Sequence, residues 1–116
     1  MSKSRAKGTA YENLVRDFLK ENGFPEAERE SFSSALGDIA NLPMTIECKS
    51  VAKMTLPIWL EQVGKSSAKT GKPGVVVHKR IRKNVSQSYC TMELSTLAQI
   101  LFELKNLRSA HLHPNT

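Results

Sequence analysis

The stretch Leu36-Gly-Asp-Ile-Ala-Asn-Leu-Pro-Met-Thr-Ile-Glu-Cys-Lys49 decides the fold. Leu36 to Ala40 is short and ends at the turn-prone Asn41-Leu-Pro43, and Met44 to Lys49 then alternates as a strand does, so the two halves read as a β-hairpin. Downstream, a helix begins near Thr55, tolerates Pro57 in its first turn, and passes Trp59, Leu60 and Val63 to the Gly71-Lys-Pro73 break. Gly74-Val-Val-Val-His78 has the unbroken apolar character of a central, buried strand. Upstream, Tyr11, Leu14, Val15, Phe18 and Leu19 recur at helical spacing and form one apolar stripe. Thr9 can cap that helix, and Asn22-Gly23 with Pro25 can end it. A short strand is expected around Glu30 to Ser33, and another over Ser88 to Glu93. Ser95 or Thr96 caps a last helix carrying Leu97, Ile100, Leu101 and Leu104. This order predicts an α/β domain, a small mixed β-sheet flanked by helices. One domain spans 1–116, with a flexible basic arm at 1–8 and a frayed tail at 109–116.

Composition narrows the partners. A chain of 116 residues, 40% of them hydrophobic, suits one modest core. No apolar run approaches the ~20 residues of a membrane span, and the charged start, Met1 to Lys7, has no apolar stretch after it, so it is not a secretory signal. The two cysteines, Cys48 and Cys90, lack metal-type spacing, and a reducing, cytoplasmic setting is the simplest reading. The compact chain would also suit a virus-encoded protein in its host cell. The net charge is +6, but from Lys49 to Lys83 nine basic residues face one acid, Glu61, a formal +8 against a slightly acidic remainder. Such asymmetry points to a polyanionic partner. The alternative is a solvated surface kept for solubility. A membrane surface fits less well, because the basic stretch lacks the apolar face of an interfacial helix.

The chemistry gathers on the hairpin. Glu47 and Lys49 are two apart on a strand and leave the same face, while Ile46 and Cys48 point the other way. Charge on a covered strand is costly unless paired or bound to metal. Asp38 lies across the turn and can approach Glu47, and two neighbouring carboxylates each resist ionisation. Mg²⁺ removes that repulsion, since it takes one or two protein carboxylates together with phosphate and water oxygens. It also lowers the pKa of a bound water, and a lysine alongside stabilises developing phosphate charge. The competing reading is a surface cross-strand ion pair worth about 0.2–1 kcal/mol.

Gly37-Asp38, eight intervening residues, then Glu47-Cys48-Lys49 resembles the motif of the PD-(D/E)XK nuclease superfamily, with Gly37 where proline is usual. Lys7-Gly-Thr-Ala-Tyr-Glu12 is similar to the first helix of the Holliday-junction resolvases of archaea and some phages. The resemblance runs from about Lys7 to Arg82. It implies a restriction-endonuclease-like core and a metal-dependent DNA endonuclease that hydrolyses phosphodiester bonds, resolving four-way junctions. Mg²⁺ would be the cofactor, with Mn²⁺ able to substitute. Asp38, Glu47 and the Cys48 backbone carbonyl would ligate it, Glu12 would join them, and Lys49 would be catalytic. Ser34, in the Ser31-Phe-Ser-Ser34 loop, and Gln62 fall where this group places supporting residues. Resolution needs two symmetric cuts, which implies a two-fold homodimer. Within the same superfamily the alternative is a nicking or repair nuclease for branched or flapped DNA. From another class it is a non-cleaving nucleic-acid-binding module on the same fold.

Other residues carry two readings each. Thr9-Ala-Tyr-Glu12 also fits a capping box, in which Glu12 serves only the helix start. Gln62 is either supporting or plain helix surface. Lys65, Lys69 and Lys72 are phosphate contacts or solvated charges. Arg5, Lys7, Lys53, Lys79, Arg80, Arg82 and Lys83 are candidate DNA contacts, the last four as the densest cluster. Trp59 reads as core or a dimer contact rather than a stacking platform. His78 reads as a strand-end residue, and His111 and His113 as tail residues without a metal role.

Overall fold

The computed structural model describes residues 3–30 and 36–112, with side chains described for 6–30 and 36–110. Among the described residues, three α-helices and five strands follow in the order α1 (Lys3–Glu21), β1 (Glu28–Arg29), β2 (Ile39–Ala40), β3 (Thr45–Lys49), α2 (Leu56–Thr70), β4 (Gly74–His78), β5 (Tyr89–Thr91) and α3 (Leu94–Leu112), with a single 3-10 turn, Val85–Gln87, before β5. The strands form one mixed sheet in chain order, β1-β2-β3-β4-β5. Among the described strands only β3 and β4 pair in parallel, Thr45 opposite Gly74 through Lys49 opposite His78, and α2 supplies the crossover that such a pair requires. The expected α/β architecture is therefore present.

The alternation of β3 and β4 divides the core into two layers. Ile46, Val75 and Val77 pack with Tyr11 and Val15 of α1, and with Ala27, Ile39 and Leu42. Val76, fully buried, packs with Trp59 and Val63 of α2 on the opposite face. Every residue of β4 is buried, as a strand covered on both faces must be. Gly74 sits where α2 comes closest: a Cβ there would lie 2.9 Å from Val63 Cγ2 and 3.2 Å from Ser67 Cβ. Gly71 ends α2 in the left-handed region, φ 71°, its N–H donating to the Ser67 carbonyl, the conformation a glycine adopts without steric cost.

Several boundaries differ from the sequence reading. Helix α1 begins at Lys3, so the basic arm expected over 1–8 is helical from Lys3 onward. Ala6 and Lys7 are good helix formers, and Gly8 lies where nothing approaches within 4 Å, so it costs only its propensity of about 1 kcal/mol. Leu14 is 51% exposed; the buried seam follows Tyr11 and Val15, four apart. Strand β1 falls at Glu28–Arg29, ahead of the expected Glu30 to Ser33, and residues 31–35 lie outside the described ones. Helix α3 starts one residue before Ser95, with the Thr96 and Leu97 N–H groups both donating to the Glu93 carbonyl. It continues to Leu112, so the tail expected to fray from Ser109 is helical that far. No described helix is long and apolar enough to cross a membrane.

Helix α3 stands apart from both layers. Leu94, Leu101, Phe102 and Leu107 are each more than half exposed, and Leu97 and Leu104 are exposed to a lesser degree.

Candidate functional site

Strand β3 turns Thr45, Glu47 and Lys49 toward α2, and each meets a polar partner there. Thr45 Oγ1 and Thr70 Oγ1 share a hydrogen bond of 2.6 Å. Ser66 Oγ donates to Glu47 Oε1 at 3.2 Å. Lys49 Nζ donates to Gln62 Oε1 at 2.7 Å. The partners are four apart on the helix while the strand residues are two apart. Two strand residues advance about 6.6 Å and four helical ones about 6.0 Å, so a helix running back along the strand stays in step with it. A polar seam results beside the apolar contact of Trp59, Val63 and Val76.

Asp38 comes to the head of this seam through Gly37. That glycine has φ 101°, and a Cβ would stand 3.0 Å from both the Ile46 carbonyl oxygen and Thr45 Cγ2. The Asp38 N–H donates to the Ile46 carbonyl at 2.7 Å. Proline, fixed near φ −65°, cannot take this positive φ, which is a physical reason for glycine before the aspartate. Asp38 Oδ2 accepts from the Cys48 N–H at 2.7 Å. The N–H and C=O of one strand residue leave by the same edge, so the Cys48 carbonyl leaves on the Asp38 side.

Asp38 and Glu47 are near enough for their carboxyls to share a hydrogen bond. Glu47 is 6% exposed. Burial first, then the Asp38 charge and that hydrogen bond, push its carboxyl up to about 7, against the opposing pull of Ser66 and Lys49. Glu12 is also raised, by burial first and then by Asp38, while Arg29 opposes the shift. Arg29 Nη1 lies 3.5 Å from Glu12 Oε2. Burial pushes the Cys48 thiol well up, so it stays protonated and unreactive.

Glu12, Asp38, Glu47 and Lys49 line one open pocket of about 380 Å³ that Gln62 and Ser66 help to close. Among the described residues, no three His, Cys, Asp or Glu side chains form a ready-made metal group. Mg²⁺ does not need one, since it is held through one or two carboxylates plus water and phosphate oxygens. Asp38, Glu47 and the Cys48 carbonyl are hard oxygen donors of that kind, and the raised Glu47 carboxyl marks a place where positive charge would relieve repulsion. Glu12 is nearby but held by Arg29.

The cations divide between two places. Lys65 and Lys69 line the carboxylate pocket; Lys65 also lies 3.7 Å from Glu61, both well exposed, a pairing of little energetic weight. Lys7, Lys79, Arg80 and Arg82 surround a second, larger groove. Lys53 and Lys83 are exposed and line neither, and Lys72 is exposed beyond α2. Arg5 lies in α1 with its side chain outside those described, as does that of His111, and Ser34 and His113 lie outside the described residues. Trp59 is core, 5% exposed.

Ser66 and Arg29 were not expected from the sequence. For Ser66 the signal was present: Gln62, Ser66 and Thr70 recur every four residues on a helix whose neighbouring stripe is Trp59 and Val63. Arg29 gave none, because its approach to Glu12 depends on tertiary placement. Compared with protein-family models, with curated proteins and with solved structures, the chain matches none.

Proposed function

We propose that this protein is a divalent-metal-dependent DNA endonuclease that cuts four-way junctions as a homodimer. The observation that carries the reading is the buried Glu47 carboxyl held against Asp38 with Lys49 beside it, in a pocket open to solvent and rimmed by Lys65 and Lys69. A carboxylate pair costs folding free energy unless something positive uses it.

Asp38, Glu47 and the Cys48 carbonyl would hold the cation, which would acidify a bound water and neutralise phosphate charge. The protein groups divide the remaining work. The Cys48 N–H fixes Asp38, and Ser66 fixes Glu47, so neither carboxylate must be ordered during reaction. Gln62 holds the Lys49 ammonium at the pocket, where it meets negative charge developing on the phosphate. Lys65 and Lys69 attract the backbone without reading sequence.

Helix α3 supports a homodimer. Leu94, Leu97, Leu101 and Leu104 alternate in spacing between three and four, the seam of a coiled coil. Leu94 and Leu101 are more than half exposed and Leu97 and Leu104 partly so, so this seam is apolar surface that a second copy could cover. Sedimentation should give a dimer for the wild type and a monomer for Leu101→Glu; a monomeric wild type refutes the pairing.

The test of the activity is digestion of four-way, flapped and linear DNA with Mg²⁺ and with EDTA, beside Asp38→Asn. Junction cleavage that needs Mg²⁺ and Asp38 supports the proposal. Cleavage confined to flapped DNA selects a repair nuclease, and binding without cleavage selects a non-cleaving module.

A further inference from the structure

Beyond the carboxylate pocket, the chain holds a groove of about 700 Å³ at the end of β4. Its floor is a ladder of flat groups. Trp59 lies 5.7 Å from His78, ring centre to ring centre, and His78 lies 6.0 Å from Tyr89 in an edge-on arrangement. Tyr89, 52% exposed, is capped by the Arg80 guanidinium 4.2 Å from its ring centre. His78 is pinned by Thr91, Nε2 to Oγ1 at 2.8 Å, and Arg80 reaches the Gln87 carbonyl at 3.5 Å, so the Tyr89–Arg80 stack is preassembled.

The walls have a matching chemistry. Lys7, Lys79 and Arg82 join Arg80 around the groove, and no carboxylate lines it among the described residues. Met54 and Ile81, 57% and 73% exposed, are apolar surface on the same rim. Arg82 is held at φ 59° in a turn closed by the Lys83 N–H donating to the Arg80 carbonyl, an uncommon conformation for a residue other than glycine. A ligand that satisfies cations with no carboxylate among the described groove residues, a stacking platform and an apolar rim together is anionic with a flat apolar face. A nucleotide has that combination, and single-strand binders use the same pairing of aromatic platform and basic groove.

We infer that this groove binds one unpaired nucleotide of a DNA strand, its base against the Tyr89–Arg80 stack and its phosphates among Lys79, Arg82 and Lys7. The groove adjoins the carboxylate pocket. Lys49 belongs to the pocket and Ser50 to the groove, the Lys79 N–H donates to the Lys49 carbonyl at 2.9 Å, and Trp59 and Gln62 are one turn apart on α2. A strand seated in the groove therefore continues over Lys49. The inference rests on the nuclease reading only for this continuation, and it makes an unstacked nucleotide beside the cut, as at a branch point, the feature recognised.

The test is fluorescence anisotropy of a labelled eight-nucleotide oligothymidylate and of a duplex of equal length, with the full chain in EDTA. The single strand should bind more tightly than the duplex. Tyr89→Ala should weaken single-strand binding between about fivefold and a hundredfold, the range for removing one stacked base. Tyr89→Phe should stay within about twofold, and duplex affinity should change little in either variant. Unchanged single-strand affinity in Tyr89→Ala (or, if that variant does not fold, in Arg80→Met) overturns the inference, as does equal loss on both DNAs. Because nothing is cut in EDTA, a chain that binds in this way yet never cleaves with Mg²⁺ refutes the nuclease reading and leaves the groove standing.

Discussion

The two faces of β3 are one residue apart and chemically opposite. Ile46 enters an apolar layer with α1, where no polar group is needed and shape decides the fit. Thr45, Glu47 and Lys49 enter a seam with α2 in which each makes a side-chain hydrogen bond. The first arrangement removes apolar surface from water and stabilises the fold. The second withdraws a carboxyl from water and keeps it hard to ionise, which stabilises nothing by itself. Adjacent residues thus serve separate ends, and substitutions one position apart should separate them.

The largest separation is expected at Lys49. Lys49→Ala should reduce junction cleavage by several orders of magnitude, because under the nuclease proposal the ammonium meeting the phosphate charge is lost, while its melting temperature stays close to wild type. A loss below about tenfold, worth only ~1.4 kcal/mol, would return Glu47 and Lys49 to a structural role. Single-turnover cleavage with thermal melts decides.

On the other face, Ile46→Ala should show the reverse pattern. Ile46 is 7% exposed, and truncating a buried isoleucine costs about 2–5 kcal/mol through lost burial and the cavity left behind. Denaturant unfolding reads this. Cleavage per folded molecule should persist below the unfolding transition, and a well-folded but inactive Ile46→Ala would show that the two faces are not separable.

A smaller effect, opposite in sign, is expected at Glu47 without metal. Its folded carboxyl titrates near 7, above the usual carboxylate range. As pH rises, the unfolded chain ionises first, so stability present at pH 4 is lost progressively and levels off above about pH 7. Glu47→Gln has no such group. In EDTA it should match wild type near pH 4 and exceed it at pH 8 by about 1–3 kcal/mol, although it should not cleave. Melts at pH 4, 6 and 8 test the sign; a less stable Glu47→Gln at pH 8 would mean that the seam is a net stabiliser.

Much of this contrast was legible in the sequence. Period-two alternation assigned Ile46 and Glu47 to different faces, and the Val run identified the doubly covered β4. What escaped depends on three-dimensional placement. That Glu47 would meet Ser66, or Glu12 meet Arg29, follows from how α2 and β1 lie on the sheet, which no local pattern encodes. The start of α1 escaped because charge and Gly8 suggested an arm, whereas the residues before that glycine favour helix. Leu14 and the outer face of α3 escaped for a related reason, since periodicity marks an apolar residue without saying what covers it. The unexpected groove draws on Lys7, Ser50, Trp59, Arg80 and Tyr89, five separate parts of the chain.

Gly74 carries a consequence for tolerance. The absence of one methyl group lets α2 settle against the strand opposite Val63 and Ser67, and Gly74 stands in register with Thr45 at the foot of the polar seam. The separation between helix and sheet is thus set at one end of the layer, while Lys49 and Gln62 meet at the other. A side chain at Gly74 would act as a shim, lifting α2 where no reacting group lies and opening the far contact by leverage. The precision of the pocket is governed from a position that never touches it.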